Sequence, residues 1–245
     1  MREPVTNLLT SAVREFASLP PFDRYIDPEQ ILVVASRGRG GLRGKRAACH
    51  FTRFPDGGGR TSRDGVWEFP EIRCGGREML YVISFVLPRF LFLPESEQAE
   101  DVVHELLHID SSFTGVPSPL RHGARYDRTV RAIAALGLAR GLRVPPLAQD
   151  GETIFYHRLR PFPHPFRRSD RRARRSYGES DLELAALRVD PRDRHAKLPA
   201  YLYECPQCGE QYARQRPLRM ASCGSCAGAY DGRFKLKLVR AQSRP

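Results

Sequence analysis

The chain has 245 residues, with 40 Lys+Arg against 28 Asp+Glu and a formal net charge of +12. That length fits one or two domains with a sizeable core. No stretch approaches the roughly eighteen consecutive apolar residues of a membrane span. A composition 41% hydrophobic and 28% charged excludes global disorder.

The N-terminus, MREPVTNLLTSAVREF, has neither a long apolar segment nor a small-residue cleavage site. It does not read as a secretory signal, so a reducing cytoplasmic setting is expected, without membrane attachment. Thirty-six of the forty basic residues are Arg, a skew that a GC-rich coding genome explains. The positive balance admits an anionic partner, for which nucleic acid is the usual candidate.

In chain order, Val5, Leu8, Leu9, Val13 and Phe16 stand at helical spacing and predict a helix over 5–17. ILVVAS (31–36) reads as a strand, followed by a basic turn (37–45) and a second strand over 46–53. Residues 55–65 are a loop by composition and 66–72 a weak strand. The apolar run 79–93 contains Pro88, which favours a strand that ends or bends there. Pro94 and Glu95 then open a helix over 95–109, with Glu97, Glu100 and Asp101 near its positive end. A loop (111–121) and a second helix from Arg125 to about Leu142 follow. Residues 146–198 are rich in Arg and Pro and read as a linker or loosely ordered arm. Order is expected to resume near Pro199. The organisation expected is therefore 1–145 as the main folded domain, 146–198 as a basic linker and 199–245 as a small C-terminal unit.

His104-Glu105-Leu106-Leu107-His108 is an HExxH motif. On a helix, positions i and i+4 lie one turn apart on one face, so both imidazoles can reach one zinc. Zinc lowers the pKa of a bound water to about 7, and Glu105 stands where it can take that proton. Surface histidines on an amphipathic helix are the plainer reading of a bare HExxH. Here Val102, Val103, Leu106 and Leu107 bracket the motif, so its helix is buried. Buried His and Glu without metal would carry unsatisfied polar groups, each costing about 1–3 kcal/mol. A catalytic zinc takes three protein ligands. No Glu lies between Glu105 and Glu152, and Ser111 and Thr114 break the HExxHxxGxxH pattern. The remaining candidates for the third ligand are His122, fourteen residues after His108, and Asp127.

Cys205, Cys208, Cys223 and Cys226 form two CxxC pairs with glycines after or within each. In a reducing compartment this spacing reads as a closed, structural four-cysteine zinc site that folds a unit too small for its own core. Arg214, Arg216 and Arg219 lie between the pairs. With Arg167, Arg168, Arg171, Arg172, Arg174 and Arg175 of the arm, Arg214 and Arg216 are candidates for contacting nucleic-acid phosphates. The same runs could be solvated faces. Cys49, His50 and Cys74 read as structural residues.

HELLHID, a loop, then HG and an aromatic residue resembles the SprT-like (SprT/Spartan-like) zinc metallopeptidases and related phage metallopeptidases. The C-terminal four-cysteine ribbon fits the same resemblance. It implies an α+β fold, a zincin-like minidomain with a four-cysteine zinc ribbon. It also implies His104, His108 and His122 as ligands of a catalytic zinc and Glu105 as the base. Two Zn2+ ions, a protein substrate and DNA, single- or double-stranded, are the implied cofactors and partners, in a cytoplasmic or nucleoid-associated setting. Tyr126, Arg121 and Arg125 are near enough in sequence to be candidate oxyanion stabilisers. The competing expectation is a non-catalytic zinc protein that binds nucleic acid or another protein.

Overall fold

The structure is a computed structural model that describes residues 3–38, 44–56, 58–195, 201–205, 211–214 and 236–241. The helical spacing near the N-terminus forms α1 (Val5–Ala17), which buries Val5, Leu9, Ala12, Val13 and Phe16. Two strands follow, β1 (Ile31–Arg37) and β2 (Ala47–Phe51). Three short strands come next: β3 (Trp67–Glu68), β4 (Glu71–Cys74) and β5 (Arg77–Glu78). Then β6 (Tyr81–Leu87) enters between β1 and β2, parallel to the first and antiparallel to the second. The strand expected over 79–93 stops before Pro88, and Phe90–Phe92 continue as a 3-10 turn.

β1 and β6 are apolar at nearly every position because both faces of this sheet are covered. Ile31, Val33, Ala35, Tyr81, Ile83, Phe85 and Leu87 face the helices. Leu32, Val34 and Val82 face a second cluster with Ile72, Met79, Leu159 and Tyr177. The helical layer is α1 with α2 (Glu95–Leu107) and α3 (Ala124–Ala139), where α2 packs on α1, α3 and β2. The fold is thus mixed α+β, with three α-helices and several small sheets among the described residues.

Residues 146–198 differ most from the linker expected of them. They contain β7 (Thr153–Leu159), β8 (Phe166–Arg167), β9 (Ser176–Tyr177) and β10 (Leu182–Arg188). β7 and β10 pair with each other, β8 pairs with β3, and β9 pairs with β4. Ile154, Tyr156, Leu187 and Val189 belong to the same core as the HExxH helix. Thr6 Oγ1 of α1 lies 2.9 Å from His157 Nδ1 and accepts the His157 amide at 3.1 Å. Composition misled here because the arginines coat an apolar interior. Arg167 lies over Trp67, Arg174 over Tyr177 and Arg175 over Phe166, with guanidinium-to-ring distances of 5.5, 4.6 and 5.0 Å. A guanidinium can cover an aromatic face and still meet water.

The C-terminal region forms β11 (Tyr201–Glu204), β12 (Gln211–Arg214) and β13 (Lys237–Ala241), an antiparallel sheet with β11 central. Cys205 directly follows β11 and is fully buried. Cys208, Cys223, Cys226, Arg216 and Arg219 lie outside the described residues.

One ion-pair network fixes the edge strand to α2. Arg46, just before β2, reaches Glu97 and Asp101 of α2, each at 2.6 Å. Asp101 is buried, and burial raises its carboxyl to about 6 although Arg46 opposes the shift. Arg46→Ala would leave that carboxyl buried without its cation. Because Arg46 is itself partly exposed, the expected loss is a moderate 1–2 kcal/mol, roughly. Urea unfolding of the variant checks this, and an unchanged midpoint would show the network to be inert.

Candidate metal centre

α2 is helical for local reasons. Pro94 takes the N-cap position and Glu95 and Glu97 sit in the first turn, where they meet the positive end of the helix. Ala99, Val102, Val103, Leu106 and Leu107 form its buried face. His104 lies in the last turn and His108 at the C-cap, still in helical conformation. The two rings therefore stay one turn apart, with centroids 4.9 Å from each other.

The chain then reverses. Ile109 bridges Pro117, and the Ser118 amide donates to His108 O at 2.8 Å. Buried Tyr81 holds this loop to the sheet. Its hydroxyl donates to Val116 O (3.0 Å) and accepts the Gly115 amide (3.1 Å). Gly115 has φ +87°, and a Cβ there would stand 2.8 Å from Arg53 Cγ. Only glycine suits that backbone and that contact. The return path brings His122 back to the helix end. Its Nε2 lies 3.2 Å from His108 Nε2, and its ring centroid lies 5.0 Å from that of His104.

The ligand atoms of His104, His108 and His122 all lie within 4.8 Å of one another. Nitrogens bound tetrahedrally to zinc at about 2.0–2.1 Å stand about 3.3 Å apart, so the His108–His122 separation fits a shared ion. Protonation also favours ligation. Burial lowers His104 and holds His108 down at about 4, with the neighbouring histidines adding to the effect. Neutral imidazole is the form that binds metal. Between the two third-ligand candidates, geometry selects His122. Asp127 is exposed on α3 and outside the donor cluster.

Glu105 is 5% exposed. Its carboxylate accepts the backbone amide of Cys49 on β2, while burial raises its pKa to about 8. A carboxyl tuned near neutrality can both take and return a proton. Cys49 serves here through its main chain, and burial followed by the Glu105 charge pushes its thiol up. Nothing in the HExxH spacing signals that partner.

Tyr126, considered from sequence as an oxyanion donor, turns its hydroxyl to the helix backbone. Its ring lies 5.1, 5.8 and 4.9 Å from those of His104, His108 and His122. Its hydroxyl donates to His104 O at 2.8 Å. That proton is committed to the helix backbone, and the ring forms the floor under the three imidazoles.

The arm arginines Arg167, Arg168, Arg171, Arg172, Arg174 and Arg175 are exposed along β8, β9 and their connection. Arg168 and Arg175 each approach Glu68 at 3.6 Å, and Arg174 pairs with Asp181. Arg214 lies on β12. Among the described residues, no helix is long and apolar enough to cross a membrane. A scan against protein-family models, a search of curated proteins and a search of solved structures each return no match.

Proposed function

We propose that this chain is a zinc-dependent metallopeptidase of SprT-like type that hydrolyses peptide bonds, with proteins held on DNA as its substrate class. A zincin-like minidomain, a C-terminal four-cysteine zinc ribbon and a cytoplasmic, nucleoid-associated setting belong to the same proposal. The observation that carries it is the convergence of the His104, His108 and His122 donor atoms within 4.8 Å beside a buried Glu105. These three histidines would hold the zinc, which supplies Lewis acidity and an acidified water when bound. Glu105 takes a proton from the attacking water and returns it to the leaving amine. The Cys49 amide orients that carboxylate, and Tyr126 braces the ligand cradle from below.

One observation favours a second reading. A Glu105 bonded to a strand amide could equally serve only to tie α2 to β2. The protein would then be a non-catalytic zinc protein that binds nucleic acid or another protein.

Metal content separates the parts of the proposal. Three His ligands and four Cys ligands imply two zinc ions per folded chain. The three-ligand site has an open position and should yield its ion to a chelator first. His104→Ala should retain one zinc, held by Cys205, Cys208, Cys223 and Cys226. A wild-type chain with a single zinc that His104→Ala does not remove would overturn the trihistidine site.

A further inference from the structure

Among the described residues, one group of arginines without carboxylate partners lies on and beside α3, next to the metal centre. Between Arg121 and Arg143 there are six arginines and one acid, Asp127. Of these six, Arg143 pairs with Glu95 at 2.8 Å. Among the described residues, no ion pair involves Arg121, Arg125, Arg128, Arg131 or Arg140. The arm differs, since Glu68 and Asp181 already engage three of its six arginines.

The helical period explains the arrangement. Tyr126, Val130, Ile133, Ala134 and Gly137 turn inward. Arg125, Arg128 and Arg131 then fall on the outward side, and all three are exposed. Ala132, Ala135 and Ala139 are also exposed there, so the surface between the charges is low and lets an extended chain approach closely. Leu136, 38% exposed, is the one large apolar side chain on this face. Protein interfaces use apolar and aromatic anchors, whereas nucleic-acid backbone contacts use separated cations.

We propose that the outward face of α3, carrying Arg125, Arg128 and Arg131, docks the phosphate backbone of a nucleic acid beside His122. The proposal rests on the metallopeptidase reading and adds where the polyanion lies. The three arginines span six residues, about 9 Å along the helix, room for about two to three consecutive phosphates of one strand. α3 begins two residues after His122. A protein carried on that strand would be presented at the metal centre, with no need for the arm to deliver it.

The test uses the full chain loaded with zinc and a fluorescent single-stranded 20-mer, titrated at two salt concentrations. The triple variant Arg125→Gln/Arg128→Gln/Arg131→Gln is compared with Arg171→Gln/Arg172→Gln. Zinc content is the folding control, and it should equal wild type in both. The expected result is a loss of tenfold or more, roughly, for the α3 variant at low salt. Its log–log salt slope should be shallower by about 2, the share of three phosphate contacts. The arm variant should bind within about twofold of wild type. Equal binding by the α3 variant and wild type would overturn the proposal while leaving the metallopeptidase reading intact. Wild type that ignores the 20-mer but binds polyglutamate through these arginines would also overturn it, in favour of an acidic protein partner. Loss of hydrolysis in Glu105→Gln, measured without any nucleic acid, tests the underlying reading separately.

Discussion

Glu105→Gln is expected to abolish hydrolysis of an unfolded protein substrate while the zinc stays bound. The substitution keeps the size of the side chain and can still meet the Cys49 amide through its carbonyl oxygen. It cannot accept a proton from water. Removal of a general base costs about 10²–10⁴ in rate, so activity should fall by at least a hundredfold, roughly. Full activity with full zinc content would show that Glu105 acts only as a structural tie to β2.

The same variant has a pH signature in the metal-free protein. The folded Glu105 is raised from 4.5 to about 8 by burial. An unfolded chain releases this proton near 4.5, while the folded chain holds it to about 8. Stability from this group is therefore complete below pH 4.5 and is lost as pH rises toward 8. Gln does not titrate, so the variant should show a flatter stability profile across that window. Chemical denaturation at pH 5 and pH 8 checks it. An identical pH slope in the two proteins would mean that Glu105 ionises normally.

The second large effect concerns the segment after Pro146. Ending the chain there is expected to unfold the remainder, where the sequence alone predicted an intact catalytic unit. The cut removes Ile154, Tyr156, Leu187 and Val189, which pack in the core shared with α1 and α2. It also removes Leu159 and Tyr177 from the opposite face of the sheet. Each such side chain contributes about 1.5–3 kcal/mol through burial, so the six together are as large as the margin of about 5–15 kcal/mol that holds a domain together. Tyr156→Ala is the milder form of the experiment and should cost about 3–5 kcal/mol. Circular dichroism and zinc content of the truncated chain decide the matter. A cooperative melt with metal retained would show that residues 1–145 suffice.

The candidate metal centre was legible in the sequence to an unusual degree because it depends on local geometry. Two histidines at i and i+4 share a helix face whatever surrounds the helix, and a later His122 needed only a loop able to return. The helix limits and the strand that stops at Pro88 follow from equally local rules. The sequence by itself therefore determined an α+β chain with a trihistidine candidate site and the residues that could serve it.

Tertiary structure decided the rest. It chose His122 over Asp127, because Tyr81 and Gly115 anchor the intervening loop to the sheet. It assigned the Tyr126 hydroxyl to His104 O and the Cys49 amide to Glu105, contacts between residues with no spacing rule to link them. It turned residues 153–188 from an arm into part of the core. Arginines coating Trp67, Phe166 and Tyr177 give a surface composition to a segment that is apolar underneath. Which arginines keep a free charge likewise depends on which carboxylates the fold brings near, and only the folded chain shows that those of α3 have no ion pair among the described residues.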